Sequence, residues 1–183
     1  MGFARDLARY YTYADYEGWD NSVRCELIDG VVHMMSSPVS RHQRLVGKIY
    51  KALSIALDGK KCEPFMAPLD VRLFPEEDKS DDTVVQPDVF VVCNESKIDD
   101  DGWCRGAPDV IFEVLTGSTA IIDINSKRRV YERAGVKEYW VIDRDSAIQW
   151  LLVDGKYEDY RFTRDGNGNF VIFIQVLSIS IML

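Results

Sequence analysis

At 183 residues, with 46% hydrophobic and 28% charged side chains, the chain has the composition of a soluble globular protein and is long enough for one domain, residues 1–183, with a sizeable core. Thirty acidic residues against 22 basic ones leave a net charge of −8, which argues against gripping nucleic acid by overall charge without excluding a local basic groove. Four cysteines with no Cys-x-x-Cys pair and only two histidines disfavour structural zinc, and neither a membrane span nor a signal peptide is evident, so a reduced, cytoplasmic protein is expected.

A short helix is read over Ala4 to Tyr16. Arg24 to Ile28 and Val31 to Met34 flank Asp29-Gly30, a favoured two-residue hairpin turn. Ser37-Pro38 opens a helix that runs to Leu57, where Asp58-Gly59 stops it, with His42, Leu45, Val46, Ile49, Leu53 and Ala56 as its stripe. Phe65, Ala67, Leu69, Val71 and Leu73 alternate as one long strand, with Asp70 and Arg72 on its other face. Val84 to Cys93 is a second strand, interrupted by Pro87, which cannot donate to a ladder. Val110 to Leu115 is a third, apolar enough to be buried on both faces. A helix over Thr119 to Ala134 stops at Gly135, and Glu138 to Asp143 is the fourth strand. A hairpin of Ile148 to Val153 and Tyr157 to Phe162 follows, and Phe170 to Leu183 is read as a strand or extended segment. The fourth strand is reached by a helical crossover, so it should pair in parallel, giving an α/β (α+β) protein with a mixed sheet.

Charges in apolar settings mark the candidate site. The stripe of the 119–134 helix is Ala120, Ile124, Tyr131 and Ala134, and the position between Ile124 and Tyr131 is Lys127. Glu113 is the sole charge in its strand, and Asp88 is the first acid in the strand before. If those strands are neighbours, the two carboxylates repel each other unless a proton or cation intervenes. Mg²⁺ (or Mn²⁺) suits such a pair, since it takes hard oxygen ligands, keeps waters and binds substrate phosphate. The alternatives are a structural salt bridge or snorkelling for Lys127, and a backbone-capping strand-start residue for Asp88. Glu26 is either an additional acid at the site or an exposed hairpin carboxylate. Asp70 is either a supporting acid or a partner of Arg72. Asp123 lies four residues before Lys127, where it can orient the ammonium. His42 reads as a supporting residue, although a lone histidine on an apolar stripe is more often a satisfied core residue.

The stretches Val85-Gln86-Pro87-Asp88-Val89-Phe90-Val91-Val92, Gly106-Ala107-Pro108-Asp109-Val110-Ile111-Phe112-Glu113-Val114-Leu115 and Gly135-Val136-Lys137-Glu138-Tyr139-Trp140-Val141-Ile142-Asp143, with Asp123, Lys127 and Tyr131, resemble the Uma2 family. These are restriction-endonuclease-like proteins of the PD-(D/E)xK nuclease superfamily. The resemblance covers roughly residues 20–160. It implies a helix-strand-strand-strand-helix-strand core, the order read above, with an N-terminal hairpin and C-terminal strands. It also implies Asp88, Glu113 and Lys127 as catalytic residues, with a metal held by Asp88, Glu113 and the carbonyl of Val114. The superfamily lysine usually lies two residues after the second acid. Here that position is Leu115, and Lys127 on the following helix is the replacement.

Two functions of different class follow. One is a metal-dependent endonuclease that hydrolyses DNA phosphodiester bonds; RNA or small nucleotides are a weaker choice of substrate. The other is an inactive nuclease-fold scaffold that binds nucleic acid or assembles with partners, which the acidic charge and the displaced lysine favour. By analogy with nucleases that cut two strands, exposed strand edges near the C-terminal hairpins could form a homodimer.

Overall fold

A computed structural model describes residues 9–19, 24–99, 102–115, 122–165 and 167–183, without the side chains of Ile122 and Asp123. The central element is a six-stranded mixed sheet in the order β11-β10-β9-β8-β6-β3. These are β3 Glu63–Met66, β6 Val89–Val92, β8 Val110–Val114, β9 Glu138–Ile142, β10 Ser146–Val153 and β11 Lys156–Thr163. β8 and β9 pair in parallel, from Val110↔Glu138 to Val114↔Ile142; the other neighbours are antiparallel. The connection from β8 to β9 carries a π-helical turn, Ile122–Lys127, that runs into α3, Arg128–Ala134. Gly135 ends α3 in the left-handed region at φ 83°, a backbone state glycine adopts without penalty.

A second sheet runs in the order β2-β1-β5-β4-β7. Its members are β1 Cys25–Ile28, β2 Val31–Met34, β4 Val71–Arg72, β5 Val84–Val85 and β7 Cys104–Arg105. Two single strands of the sequence reading are therefore divided between sheets. The Phe65 to Leu73 run breaks into β3 and β4, and the Val84 to Cys93 run breaks into β5 and β6. Each break contains a proline, Pro68 or Pro87, which has no N–H for a ladder and lets the chain leave one sheet for the other.

Helix α2, Ser40–Leu57, begins two residues after Pro38, because Val39 keeps an extended backbone at φ −82° and ψ 158°. Among the described residues the N-terminal helix, α1, spans Tyr13–Glu17. Phe170 to Leu183 is a hairpin of β12 Val171–Ile174 and β13 Ile179–Met182 rather than a single strand.

Period-two alternation divides the central strands between two cores. Val89, Val91, Val110, Phe112 and Val114 face α2 and the C-terminal hairpin, packing on Val46, Ile49, Leu53, Ile172 and Ile181. Phe90, Val92 and Ile111 face α3 and the second sheet, packing on Val130, Tyr131, Val71 and Val85. Glu138 is wholly buried in the sheet and pins the C-terminal hairpin there. Its carboxylate accepts from Trp140 Nε1 (2.8 Å), Gln149 Nε2 (2.7 Å) and the Val176 amide (2.9 Å), while burial raises its pKa. No helix among the described residues is long and apolar enough to cross a membrane.

Where a reduced protein is expected from composition, the structure joins Cys62 to Cys93. The two lie 31 residues apart in sequence, and the β3–β6 ladder brings their Cα atoms to 3.9 Å, one rung beyond Glu63↔Val92. Cys25 and Cys104 are free and buried. Thiol titration of the denatured, unreduced protein is expected to return these two thiols per chain. Reduction is expected to lower unfolding stability by about 3–4 kcal/mol, the scale of a loop of this length, read from denaturant midpoints.

Candidate active site

Glu113 follows Ile111 onto the α3 face of β8, beneath the π turn of the crossover. That turn ends at Lys127, where the wide ladder tightens into α3; π turns recur at functional sites for this reason of re-aiming a side chain. The ammonium of Lys127 lies 2.8 Å from Glu26 Oε1 and 2.8 Å from Glu113 Oε1, and all three side chains are at most 5% exposed. Tyr131, one turn further along, donates its hydroxyl to Glu113 Oε1 at 2.9 Å. The Gln86 amide donates to Glu26 Oε1 at 2.8 Å.

Asp88 follows the Pro87 break. Its Oδ2 accepts from the Val114 amide at 2.8 Å and lies 3.1 Å from His42 Nε2. The Asp88 amide points at Glu113 Oε2 across 3.4 Å, so the two acids meet at one corner of the sheet. Asp88, Glu113, Lys127, Glu26, His42 and Val114 all line one cavity of about 300 Å³. The repulsion anticipated between Asp88 and Glu113 is relieved on one side, because Lys127 and Tyr131 hold Glu113.

Asp70 does not line this cavity. It sits one layer behind, where its Oδ1 accepts from Gln86 Nε2 (2.7 Å) and the Tyr16 hydroxyl (3.2 Å). Arg72, its alternative partner in the sequence reading, is committed to Asp81. Burial raises the Asp70 pKa, partly offset by these hydrogen bonds. The side chain of Asp123 lies outside the described residues. Sequence reasoning passed over His33, Arg24 and Gln86. His33 stands opposite Glu26 across the hairpin and lines the cavity, and burial lowers its pKa, keeping it neutral near pH 7. A two-residue turn at Asp29-Gly30 dictates that pairing, so the signal was present. Arg24 forms part of the cavity wall and donates to Gln86 Oε1 at 3.0 Å.

The donor set suits a hard divalent cation. Three carboxylates (Glu26, Asp88, Glu113) meet the Lys127 ammonium and the Arg24 guanidinium in this cavity, so negative charge remains in excess. Lys127 engages Oε1 of Glu113, while Oε2 is on the Asp88 side. Among the described residues no three His, Cys, Asp or Glu side chains form a ready cage for a metal. Mg²⁺ needs none, since one or two carboxylates, waters and a substrate phosphate satisfy it.

A mixed sheet with α2 ahead of its first strand and α3 across its parallel pair defines the restriction-endonuclease-like class of fold. The Uma2 family model, described as "Putative restriction endonuclease", matches residues 12–175, and the chain belongs to that family. It is similar to a solved structure described as a "putative nuclease belonging to DUF820" from Anabaena variabilis. The TM-score is 0.72 over 92% of this chain and 91% of that one, at 15% identity, which establishes the shared fold alone. No curated protein matches the chain.

Lys127→Met leaves Glu26 and Glu113 as buried charges without their cation. It is expected to cost about 3–5 kcal/mol in urea unfolding at neutral pH; a loss below about 1 kcal/mol would mean that the acids are solvated.

Asp70 yields a pH-dependent expectation. Its folded pKa lies above the ordinary 3.8, so between the two values the folded state binds more protons than the unfolded chain. Stability from this group therefore falls as pH rises through that window and stays lost above it. Asp70→Asn keeps an acceptor oxygen for Gln86 and Tyr16. It is expected to be more stable than the parent at neutral pH and equal to it below the ordinary aspartate range, measured by denaturant midpoints across the acid limb.

Proposed function

We propose that the protein is a metal-dependent endonuclease that hydrolyses DNA phosphodiester bonds. The observation that carries this reading is the buried Lys127 ammonium, 2.8 Å from each of two carboxylates, beside Asp88 in a concave site. Desolvating three charged groups is costly, and a charge cluster placed in a cleft has the character of a functional site. Asp88, Glu113 and the carbonyl of Val114 are the groups that would hold Mg²⁺ (or Mn²⁺). Such an ion, when bound, supplies Lewis acidity toward the phosphate and toward water.

The remaining roles belong to the chain itself. Lys127 sets one positive charge beside the acids, where it offsets charge that develops on the scissile phosphate. Glu26 fixes the ammonium from the smaller sheet, and Tyr131 fixes Glu113, so both are positioning residues. His42 and the Val114 amide hold the Asp88 carboxylate in a set orientation. Arg24 brings a second cation to the cleft wall for a non-bridging phosphate oxygen.

A second reading draws on the net charge of −8 and on Leu115 in the usual lysine position: a nuclease fold kept as a nucleic-acid-binding or assembly module. Nicking of supercoiled plasmid, run beside calorimetric titration of Mg²⁺ and Mn²⁺ and a thermal melt, separates the two. Asp88→Asn is expected to lose both ion binding and nicking with its fold intact. Lys127→Gln is expected to keep ion binding and to nick about 10²–10³-fold more slowly. Wild type that binds neither ion and cuts nothing, over a range of salt and DNA forms, would establish the scaffold.

A further inference from the structure

Helix α2 places Arg41, Arg44 and Lys48 at i, i+3 and i+7, on one face. All three are exposed, and none forms an ion pair or side-chain hydrogen bond with another described residue. Arg144, in the β9–β10 turn, and Arg164, after β11, form the facing wall of a groove of about 210 Å³. Arg164 is fixed there by its stacking over Phe170 at 4.3 Å and by hydrogen bonds to the Arg144 carbonyl, the Gly168 carbonyl (2.7 Å) and the Leu183 oxygen (3.5 Å). Asp143 also lines the groove, its carboxylate turned onto the Arg144 amide at 2.7 Å. Arg144 meets Asp145 at 3.8 Å with both side chains in solvent, an ion pair that competes weakly with another anion. Cations thus gather here on a chain whose net charge is −8. The groove is continuous with the candidate active site, because Val39, His42 and Val114 line both.

Gly47 is an independent observation. It lies between Arg44 and Lys48 in the middle of α2, is exposed, and an added Cβ would meet nothing within 4 Å. A helix-interior glycine is less stable than alanine, and no packing inside the fold asks for one here. Bare backbone beside a row of cations lets an external chain approach closely.

We infer that this groove is the path of a DNA backbone flanking the phosphate in the cleft, with Arg41, Arg44, Lys48 and Arg144 on its phosphates, and with the bare backbone of Gly47, beside the row but outside the groove lining, leaving room for the chain to pass close over the helix. The inference rests on the nuclease reading of the adjoining cleft. Seven residues of helix rise about 10.5 Å. One DNA strand carries a charge about every 3.4 Å of axis, so the row matches roughly three phosphates. A groove of spaced, exposed cations that runs into a cluster of carboxylates suits a linear polyanion better than an apolar or flat partner.

The test is fluorescence anisotropy of a labelled duplex against salt, without divalent ions so that nothing is cut. The proteins are wild type, the triple variant Arg41→Ala/Arg44→Ala/Lys48→Ala, and Gly47→Gln. Circular dichroism melts report folding. Removing three phosphate contacts is expected to reduce the slope of log affinity against log salt by about 2.7. Gly47→Gln is expected to melt higher than wild type and to bind at least about fivefold more weakly, a pairing that a purely structural glycine does not produce. An unchanged slope in the triple variant overturns the groove, as does a wild type that binds no duplex at low salt. Self-association that needs the three cations, in place of DNA binding, would overturn it in favour of a second copy of the chain. Plasmid nicking separates the two hypotheses. Wild type that cuts plasmid while its binding ignores the row refutes the groove alone. Slope loss in a protein that cuts nothing refutes the nuclease alone.

Discussion

The Lys127 ammonium joins three parts of the chain through charge. Glu26 belongs to the smaller sheet, Glu113 to the central sheet, and Lys127 to the crossover that makes β8 and β9 parallel. A buried cation with two carboxylate partners tolerates little displacement, because any movement leaves a desolvated charge uncompensated. The relative placement of both sheets and the crossover is therefore tied to one nitrogen atom. The π turn that ends at Lys127 is the local distortion that accompanies it.

The prolines give that interaction its setting. A continuous strand from Phe65 to Leu73, or from Val84 to Cys93, would have kept the chain in one sheet. Breaks at Pro68 and Pro87 send β4 and β5 to the smaller sheet while β3 and β6 stay in the larger one. The cavity lies where these paths separate, and Ala67, Pro68, Gln86 and Asp88 line it. Asp88 accordingly sits at a strand end, where it can bond the Val114 amide of the neighbouring strand and reach His42 on α2. Behind it, Gln86 passes hydrogen bonds from Glu26 to Asp70 and on to Tyr16, a polar layer that supports the cleft.

Much of this was legible residue by residue. The Asp29-Gly30 and Asp154-Gly155 turns, the Gly135 stop, the parallel β8–β9 pair and the stripe of α2 follow from short-range rules, and the structure contains each of them. Lys127 and Glu113 stand out because a charge within an apolar pattern is anomalous by periodicity alone. For Glu26 the sequence left two readings open, an additional acid at the site or an exposed hairpin carboxylate, and only the packing of the smaller sheet on the crossover buries it to 4%. Asp70 was open as a supporting acid or a partner of Arg72. Arg72, two residues on, suggested a partner, yet Arg72 turns to Asp81 and stacks its guanidinium 3.8 Å above the Tyr13 ring. The Cys62–Cys93 pairing carried no spacing signal, since ladder register alone brings the two residues together.

The sequence by itself determined the two main helices, the central strands and the tight hairpin turns, the parallel crossover, and the membership of the chain in a nuclease-like family, because these depend on local periodicity, turn chemistry and contiguous motifs. Tertiary structure alone decided that two strands divide between sheets, that Glu26 and Tyr131 join Glu113 and Lys127, and that Arg144 and Arg164 face the cations of α2. Those facts depend on which elements pack together. That is settled by burial and hydrogen-bond satisfaction over the whole molecule, and no pattern confined to one segment encodes it.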